Sequence, residues 1–400
     1  MCGIVAYIGR RQATDILLEG LKRMEYRGYD SAGIAVMNGG VHLARAIGRV
    51  ANVEKSITDR GGFKGTMGIG HTRWATHGGV TELNAHPHSD DGELGHGIVI
   101  IHNGIIENYA ALKRYLQEKG HTFTSETDTE VLAHLIGELY TGDLEKAVQS
   151  ALREVTGAYA IAVMCAKEPE VLVVARKGSP LMVGVGNGEY VVASDASAIV
   201  SHTTQAIALA DYTVARITRE GFRTTTVDNI EITAEIRELE FDLEQIELGH
   251  YEHFMLKEIF EQPRALRTSL QGRVDVKRGE IRLGGVGEHA RRLANAKRVV
   301  FIGQGTALHA CMIGKYMFEE LAKVHAESDF ASEFRYRNPI VEDGTVVIAV
   351  SQSGETADTL AALQEAKQRG ALALGVVNVV GSSIARETDA GGDLRGGPGI

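Results

Sequence analysis

The chain has 400 residues, of which 44% are hydrophobic and 24% charged, values typical of a globular protein long enough for two domains. Its net charge of −10, with no block of lysine and arginine, argues against a nucleic-acid-binding protein. It has no apolar run near the roughly 20 residues that span a membrane, and its first residues do not resemble a secretory signal.

The first half of the chain predicts an α+β domain, residues 1–227, in which two antiparallel sheets stack on each other. The predicted strands are short apolar runs at Gly3–Ile8, Gly33–Met37, Met67–His71, Gly97–His102, Ala158–Ala166, Glu170–Ala175, Leu181–Val185 and Tyr190–Ala193. The predicted helices carry apolar residues at helical spacing, at Ala13–Tyr26, Glu107–Glu118, Asp128–Tyr140 and Leu144–Val155.

The second half has a different pattern. Residues 228–250 are acid-rich and predict a linker, and residues 251–284 predict connecting helices, with the helix Glu252–Leu270 interrupted at Pro263. Residues 285–400 alternate strand with helix, which is typical of a parallel α/β sheet. Its predicted elements are strands Arg298–Gly303, Thr345–Ser351 and Ala373–Val379 and helices Ala307–Ala322 and Ala357–Arg369.

Cysteine usage points to chemistry at the N-terminus. The cysteines at positions 2, 165 and 311 cannot form a closed disulfide framework, and their spacing does not resemble a zinc site. We therefore expect a cytoplasmic protein with no metal and no cofactor. Removal of Met1 would give Cys2 a thiol beside a free α-amine, and that amine can accept the thiol proton near neutral pH. The alternative is that Cys2 is a small hydrophobic residue at the start of a core strand.

Arg73 and Asp128 are candidates for binding an amino acid. Arg73 ends a strand within HTRWATHG, where a guanidinium can hold an α-carboxylate with two hydrogen bonds. Asp128 precedes an apolar helix and can bind an ammonium group. The alternatives are an ordinary ion pair for Arg73, and a helix cap formed by Asp128 together with Thr127.

Asn103 and Gly104 follow the buried strand IVIIH. The Asn103 side-chain amide and the Gly104 backbone N–H together suit an oxyanion hole for a tetrahedral intermediate. A plain Asn-Gly turn is the alternative.

Six motifs in this order resemble the glutaminase half of the glutamine–fructose-6-phosphate aminotransferases, also called glucosamine-6-phosphate synthases: MCGIV, YRGYDSAG, HTRWATHG, NAHPH, HNGIIEN and SETDTEV. The resemblance implies a four-layer αββα sandwich of the N-terminal-nucleophile type. It implies Cys2 as the nucleophile and Asn103 with Gly104 as the oxyanion hole. By the same resemblance the glutamine-binding residues would be Arg73, Thr76, His77, His86 and Asp128, and Trp74 would gate an ammonia passage.

The loop after Val346–Val350 is rich in hydroxyl groups and precedes a helix, an arrangement that suits a phosphate but is also that of an ordinary capped turn. SQSGETADT, ASEFRYR and YEHFMLKEIFEQP resemble the sugar-isomerase (SIS) half of the same family. This resemblance implies that the phosphate of fructose 6-phosphate is bound by Ser351, Gln352, Ser353 and Thr356, with Thr306 nearby. The family's Cys-Gly-Thr-Ser is Gln304-Gly305-Thr306-Ala307 here, so one hydroxyl is lost at Ala307.

The resemblance also implies a longer protein. Family members carry two SIS subdomains, and the sequence reaches Ile400 inside the first one. We therefore expect a glutaminase that is complete in its chemistry, joined to an incomplete SIS domain that is inactive in synthesis and forms a homodimer if it folds. The substrates implied are glutamine and fructose 6-phosphate, for amino-sugar biosynthesis.

Two alternatives remain. A phosphoribosylpyrophosphate amidotransferase is disfavoured because the chain lacks the phosphoribosyl-binding motif and contains SQSGET. A non-catalytic sugar-phosphate-binding protein built on the SIS half is disfavoured by Cys2 in company with Arg73, Asn103 and Asp128.

Overall fold

The computed structural model describes residues 2–75, 78–91, 94–239, 249 and 251–396. Contacts between residues divide the chain into two compact units, Met1–Leu243 and Glu244–Ile400. The finer division into segments 1–227, 228–250, 251–284 and 285–400 stays a prediction. In the described part of the chain, no helix combines the length and the apolar character needed to cross a membrane.

The first unit is built from strands and five α-helices in its described residues. Its strands are β1 Gly3–Ile8, β2 Ser31–Met37, β3 Val41–Ile47, β4 Met67–Arg73, β5 His88–Ser89, β6 Ile98–Ile106, β7 Gly157–Cys165, β8 Glu168–Lys177, β9 Met182–Val185, β10 Tyr190–Ala193, β11 Gln205–Ala208, β12 Thr213–Ile217, β13 Phe222–Thr226, β14 Glu231–Ile232 and β15 Arg237–Glu238. Its helices are α1 Ala13–Arg23, α2 Val50–Asp59, α3 Tyr109–Glu118, α4 Asp128–Glu138 and α5 Leu144–Glu154.

These strands form two antiparallel sheets, ordered β15-β11-β9-β10-β1-β4-β2-β3 and β14-β13-β12-β8-β7-β6-β5. Between the sheets lies one apolar core, to which Ile4 of β1 and Ile101 of β6 both belong. A second core packs α1 and α2 on the outer face of the first sheet, and a third packs α4 and α5 on the outer face of the second. The predicted αββα sandwich with two stacked sheets is therefore confirmed.

The acid-rich segment 228–250 is partly structured. Its short strands β14 and β15 extend the edges of the two sheets, pairing with β13 and β11 respectively. These pairings rest on backbone hydrogen bonds, which the sequence pattern of a linker does not signal. Residues 240–248 and 250 lie outside the described residues.

The second unit holds a parallel sheet, as predicted, with strands in the order β19-β18-β20-β21-β22. Its strands are β16 Val274–Asp275, β17 Glu280–Ile281, β18 Arg298–Gly303, β19 His325–Phe330, β20 Thr345–Ser351, β21 Leu372–Val377 and β22 Ala390–Asp393. Its α-helices are α6 Phe254–Leu270, α7 Ala290–Ala294, α8 Thr306–Met317, α9 Ala331–Tyr336, α10 Ala357–Gln368 and α11 Ser383–Glu387. Apolar cores cover both faces of this sheet.

The predicted interruption at Pro263 is wrong, because α6 continues through this proline without a break. Proline has no backbone N–H, so the carbonyl of Ile259 lacks its usual helical hydrogen-bond donor. Both residues are exposed, so solvent can bond the carbonyl that lacks its helical partner.

Candidate active site

Strand pairing brings the chemical motifs of the first unit together. In the antiparallel pair β1–β4, Gly3 lies opposite Thr72, so Cys2, the residue before β1, lies next to Arg73 at the end of β4 and to Trp74 directly after it. Asn103 projects from β6 in the second sheet, and its Nδ2 donates to the Cys2 carbonyl at 3.1 Å. Residues about 100 positions apart in sequence therefore share one site.

Cys2 is held by the backbone of Trp74. The Trp74 N–H donates to Sγ at 3.2 Å, and Sγ lies 3.5 Å from the Trp74 carbonyl oxygen, which accepts the thiol proton. Burial raises the pKa of the Cys2 thiol, and the Trp74 N–H and the positive charges of Arg73 and Arg27 oppose that rise without cancelling it. The thiol is thus harder to ionise than the ordinary pKa assumed from the sequence, so its attack needs a base.

Arg73 and Asp128 carry opposite charges: the charge of Arg73 acts on Cys2, and the charge of Asp128 acts on Arg73. The Arg73 guanidinium is buried and donates to the carbonyls of Gly78 and Gly79 at 3.2 and 3.1 Å. Burial lowers the pKa of Arg73, while the charges of Cys2, Asp30 and Asp128 act in the opposite direction. The Asp128 carboxylate accepts the Ile106 N–H at 2.8 Å. Such a pair of charges complements the carboxylate and ammonium of an amino acid.

The expected capping role belongs to Thr127, the residue before α4. Its hydroxyl accepts from the Glu130 N–H at 3.3 Å, which is a standard N-cap bond. Asp128 is the first helical residue, and its carboxylate accepts the Ile106 N–H of β6 and the Thr129 hydroxyl rather than a backbone N–H of its own helix. The helix terminus is therefore capped without Asp128.

His86 stacks on His71, the histidine that bonds Asn103. Its Nε2 is 2.9 Å from the Thr129 hydroxyl, which also lies 3.0 Å from Nδ1 of His102. Burial lowers the pKa of His86 well below its usual value and lowers that of His71 to about 3. These rings are neutral at pH 7, so His86 supports the site through packing and hydrogen bonds rather than through charge.

Two of the predicted glutamine-binding residues, Thr76 and His77, lie outside the described residues. Gly79, which follows these two residues in the sequence, is hydrogen-bonded to Asn84 and Glu126. Asn84 Nδ2 donates to the Gly79 carbonyl at 3.1 Å and to the Glu126 carboxylate at 2.9 Å. Asn84 and Glu126 lie within the motifs NAHPH and SETDTEV, and neither motif indicates by itself that the two side chains meet.

Trp74 is partly exposed beside the cysteine. Its ring meets that of Tyr29 edge to face, with centroids 5.4 Å apart. Asp30 also holds this turn, accepting the Ala75 N–H at 2.9 Å. The gating role of Trp74 stays a prediction.

Gly104 has a backbone conformation that other residues avoid, with φ of +140°, and a Cβ there would clash with the Ala158 carbonyl oxygen. We expect Gly104→Ala to reduce the free energy of unfolding by about 1–3 kcal/mol or more. Gly142→Ala is the matched control, because Gly142 also has a positive φ but open space at its Cβ position. Urea unfolding of both variants checks this, and equal losses would contradict the proposed clash.

The buried neutral histidines predict acid sensitivity. Burial lowers the pKa of His71 and of His88 to about 3, whereas an unfolded histidine titrates near 6.5. Below pH 6.5 the unfolded state therefore binds protons that the folded state does not, and stability falls as pH drops toward 3. We expect a loss of about 2 kcal/mol per histidine between pH 7 and pH 5.

Fluorescence of Trp74, the single tryptophan of the sequence, reports urea unfolding of the first unit. The pH dependence should be smaller in His88→Gln than in the unchanged protein. An undiminished dependence in that variant would contradict this assignment.

The second unit places its predicted phosphate residues at one edge of the parallel sheet. Thr306 begins α8 after β18, and Ser351 ends the adjacent strand β20. The Ser351 hydroxyl accepts the Gly354 N–H at 3.0 Å and lies 3.2 Å from the hydroxyl of Thr356, the residue that precedes α10. The same loop contains Gln352, which is exposed, and Ser353, which is half-buried. Whether these residues bind a phosphate stays a prediction.

A departure from the family pattern has a structural consequence here. Gln304, in the place of the family cysteine, donates to the Asp358 carboxylate at 3.3 Å. Arg335 lies 3.7 Å from the same carboxylate.

Among the described residues no group of three or more His, Cys, Asp or Glu side chains is placed to hold a metal ion.

Comparison with known proteins agrees with both units. A family model described as glutamine amidotransferase domain matches residues 46–251, and one described as SIS domain matches residues 292–400. The first match includes Arg73, Asn103 and Asp128 and begins after Cys2.

Whole-chain relatives are glutamine–fructose-6-phosphate aminotransferases (isomerising). The protein of Chlorobaculum tepidum is 52% identical over all of this chain, and that of Thermus thermophilus is 48% identical over the same extent. In both cases the chain spans 65% of the relative's length. A solved structure of glutamine phosphoribosylpyrophosphate amidotransferase from B. subtilis shares the fold, with a TM-score of 0.51 at 20% identity over 94% of this chain and 81% of that one.

The stacked antiparallel sheets, with Cys2 directly before a central strand, define an amidotransferase domain of the N-terminal-nucleophile type, followed by a parallel-sheet SIS domain. The chain belongs to the glutamine amidotransferase family and is a homologue of the glutamine–fructose-6-phosphate aminotransferases.

Proposed function

We propose that the first unit hydrolyses glutamine to glutamate and ammonia, with Cys2 as the nucleophile. The observation that carries this proposal is the meeting of Cys2, which directly precedes β1 of one sheet, with the Asn103 amide of β6 in the other sheet. Purified protein incubated with glutamine should release glutamate and ammonia in equal amounts. Absence of both products, from protein shown to be folded, would contradict the proposal.

The first chemical step is attack of the thiol sulfur on the side-chain carbonyl carbon of glutamine. Its proton passes to the α-amine of Cys2, which becomes available once Met1 is removed. Within the described residues, Sγ has hydrogen-bonding partners only in the Trp74 backbone, so no imidazole or carboxylate there is placed as the base. This supports the amine as the base, because burial keeps the thiol protonated before attack.

The second step is collapse of the tetrahedral intermediate. The Asn103 side-chain N–H and the Gly104 backbone N–H stabilise the oxyanion. The α-ammonium of Cys2 returns the proton to the leaving nitrogen, ammonia departs, and a thioester remains. Water then hydrolyses the thioester to glutamate and restores the thiol.

We assign the binding of glutamine to Arg73 and Asp128, with Thr76, His77 and His86 around them. A guanidinium holds an α-carboxylate through a planar pair of N–H donors, and a carboxylate holds the α-ammonium. The neutral state of the nearby histidines adds no competing positive charge, since burial keeps the pKa of His86 low.

Arg73→Lys tests this assignment, because it keeps the positive charge but loses the planar pair of donors. We expect KM for glutamine to rise about 10-fold or more, with a smaller change in kcat. Steady-state kinetics measures both constants. Lys113→Arg is a suitable control for a conservative change of a basic residue, because Lys113 lies on α3 with its ammonium over the Phe123 ring. A fall in kcat with an unchanged KM for Arg73→Lys would contradict a binding role.

For the whole protein, we propose that the ammonia is transferred to fructose 6-phosphate to form glucosamine 6-phosphate. The names of the relatives and the SIS match support this substrate, as does the hydroxyl-rich loop at the start of α10. Ser351, Gln352, Ser353, Thr356 and Thr306 would bind the phosphate. Fructose 6-phosphate binding, measured by isothermal titration calorimetry, should be lost in Ser351→Ala with glutaminase activity retained, and unchanged binding would contradict the assignment.

A homodimer is part of the same proposal. Helix α8 of the second unit exposes Met312, Ile313 and Tyr316, which are apolar side chains of the kind that pack in subunit interfaces. Sedimentation equilibrium tests this association, and a monomer mass at micromolar concentration would contradict it.

A further inference from the structure

His71 is a fully buried histidine beside the proposed oxyanion donor, and the mechanism above gives it no role. Its Nε2 lies 2.9 Å from Oδ1 of Asn103 and 3.1 Å from the carbonyl oxygen of His102. Both oxygens are hydrogen-bond acceptors. Nε2 must therefore carry the proton and donate to them, and Nδ1 of the neutral ring carries none.

This donor decides which way the Asn103 carboxamide points. With Oδ1 directed at His71, Nδ2 is directed at Cys2 and donates to its carbonyl at 3.1 Å. A flipped carboxamide would place its NH2 group against the N–H of His71, so two donors would face each other in a buried place. The imidazole therefore selects one of the two amide orientations.

The ring of His71 is itself fixed. It stacks on the ring of His86, with centroids 4.2 Å apart and planes 29° apart, and Nε2 of His86 is 2.9 Å from the Thr129 hydroxyl. Among the described residues, Nδ1 of His71 has no hydrogen-bond partner. A buried acceptor without a partner reduces stability, so this histidine is poorly explained by a contribution to folding alone.

We propose that His71 is a positioning residue for glutamine hydrolysis: its Nε2–H holds the Asn103 carboxamide with Nδ2 toward Cys2, so that the oxyanion donor is aligned before glutamine binds. Alignment in advance matters because a donor that must reorient during the reaction stabilises the transition state less. This inference rests on the proposed function of Cys2 and Asn103.

Two substitutions of similar polarity place an amide N–H at different positions of the His71 ring. In His71→Gln the side-chain amide can place an N–H where Nε2 lies, whereas in His71→Asn the shorter side chain places it near Nδ1. We expect His71→Asn to lower kcat for glutamine about 10- to 100-fold with KM changed less than about threefold, and His71→Gln to recover most of this loss. His134→Asn is the matched control, because His134 is also buried in this unit but bonds His121 and not the site.

Two further measurements exclude a merely structural effect. In an Asn103→Ala background, His71→Asn should cause little further loss of kcat, because the group that it positions is already absent. Alkylation of Cys2 by iodoacetamide should keep its rate in His71→Asn, since attack at a saturated carbon creates no oxyanion. Additive losses in the double variant, equal losses for the asparagine and glutamine variants, or slowed alkylation would overturn the proposal. Failure of the unchanged protein to hydrolyse glutamine, or activity retained in Cys2→Ala, would instead indicate that the proposed function is wrong.

Discussion

Cys2→Ala should abolish glutamine hydrolysis while leaving the fold intact. Removal of a covalent nucleophile costs on the order of 10⁶-fold in kcat in a well-studied hydrolase, which would bring this rate below detection. The side chain bonds only the Trp74 backbone among the described residues, so its loss should change stability little. Ammonia release measures the activity, and urea unfolding followed by Trp74 fluorescence measures the fold.

Cys165→Ala and Cys311→Ala are the matched controls for Cys2→Ala. Both cysteines lie fully buried within apolar cores, so glutamine cannot reach either thiol. Both variants should retain hydrolysis. Blocking the removal of Met1 should have the same effect as Cys2→Ala, because the α-amine would remain in a peptide bond. Retained activity in Cys2→Ala would contradict the account.

Asn103→Ala should lower kcat for glutamine by about 10²–10³-fold with a small change in KM. Its Nδ2 lies at the Cys2 backbone, and the amide is held from the other side by His71, so the donor is in place before the substrate arrives. A donor that acts on the oxyanion contributes to the transition state and not to binding in the ground state. Steady-state kinetics separates the two constants.

A suitable control for Asn103→Ala is Asn108→Ala, because Asn108 lies before α3 and its side chain bonds the Glu154 carbonyl and the Thr156 N–H. It should keep kcat. If Asn103→Ala changed only KM, the oxyanion role would have to be abandoned.

Much of the fold follows from local patterns that can be read in the sequence. The apolar runs Gly3–Ile8, Thr345–Ser351 and Tyr190–Ala193 become strands with the predicted bounds, because each is buried on both faces. The helix α1 buries Ile16, Leu17 and Leu21 as its spacing predicts. These elements depend mainly on their own sequence.

Elements that depend on pairing rather than on their own apolar pattern were not predicted. Strand β3 is half-exposed and contains His42 and Arg45, and it exists because it pairs along its whole length with the preceding strand β2. The same limit holds in the site. The motifs gave the residue types, whereas the contact of His71 with Asn103 depends on two strands in different sheets.

The thiol pKa of Cys2 shows a similar limit. An ordinary value was a reasonable assumption for a residue near the chain start, but the fold buries Sγ and raises the pKa. Whether a particular atom is buried depends on how the sheets pack, and the sequence pattern does not predict packing in that detail.

The most direct test of the account is mass analysis of the N-terminal peptide after the protein is mixed with glutamine and rapidly quenched in acid. We expect protein that lacks Met1 and carries a glutamyl thioester on Cys2, most abundant early in turnover and absent from Cys2→Ala. Glutamate release without any adduct on Cys2, or with the adduct on another residue, would contradict the central claim that Cys2 is the nucleophile.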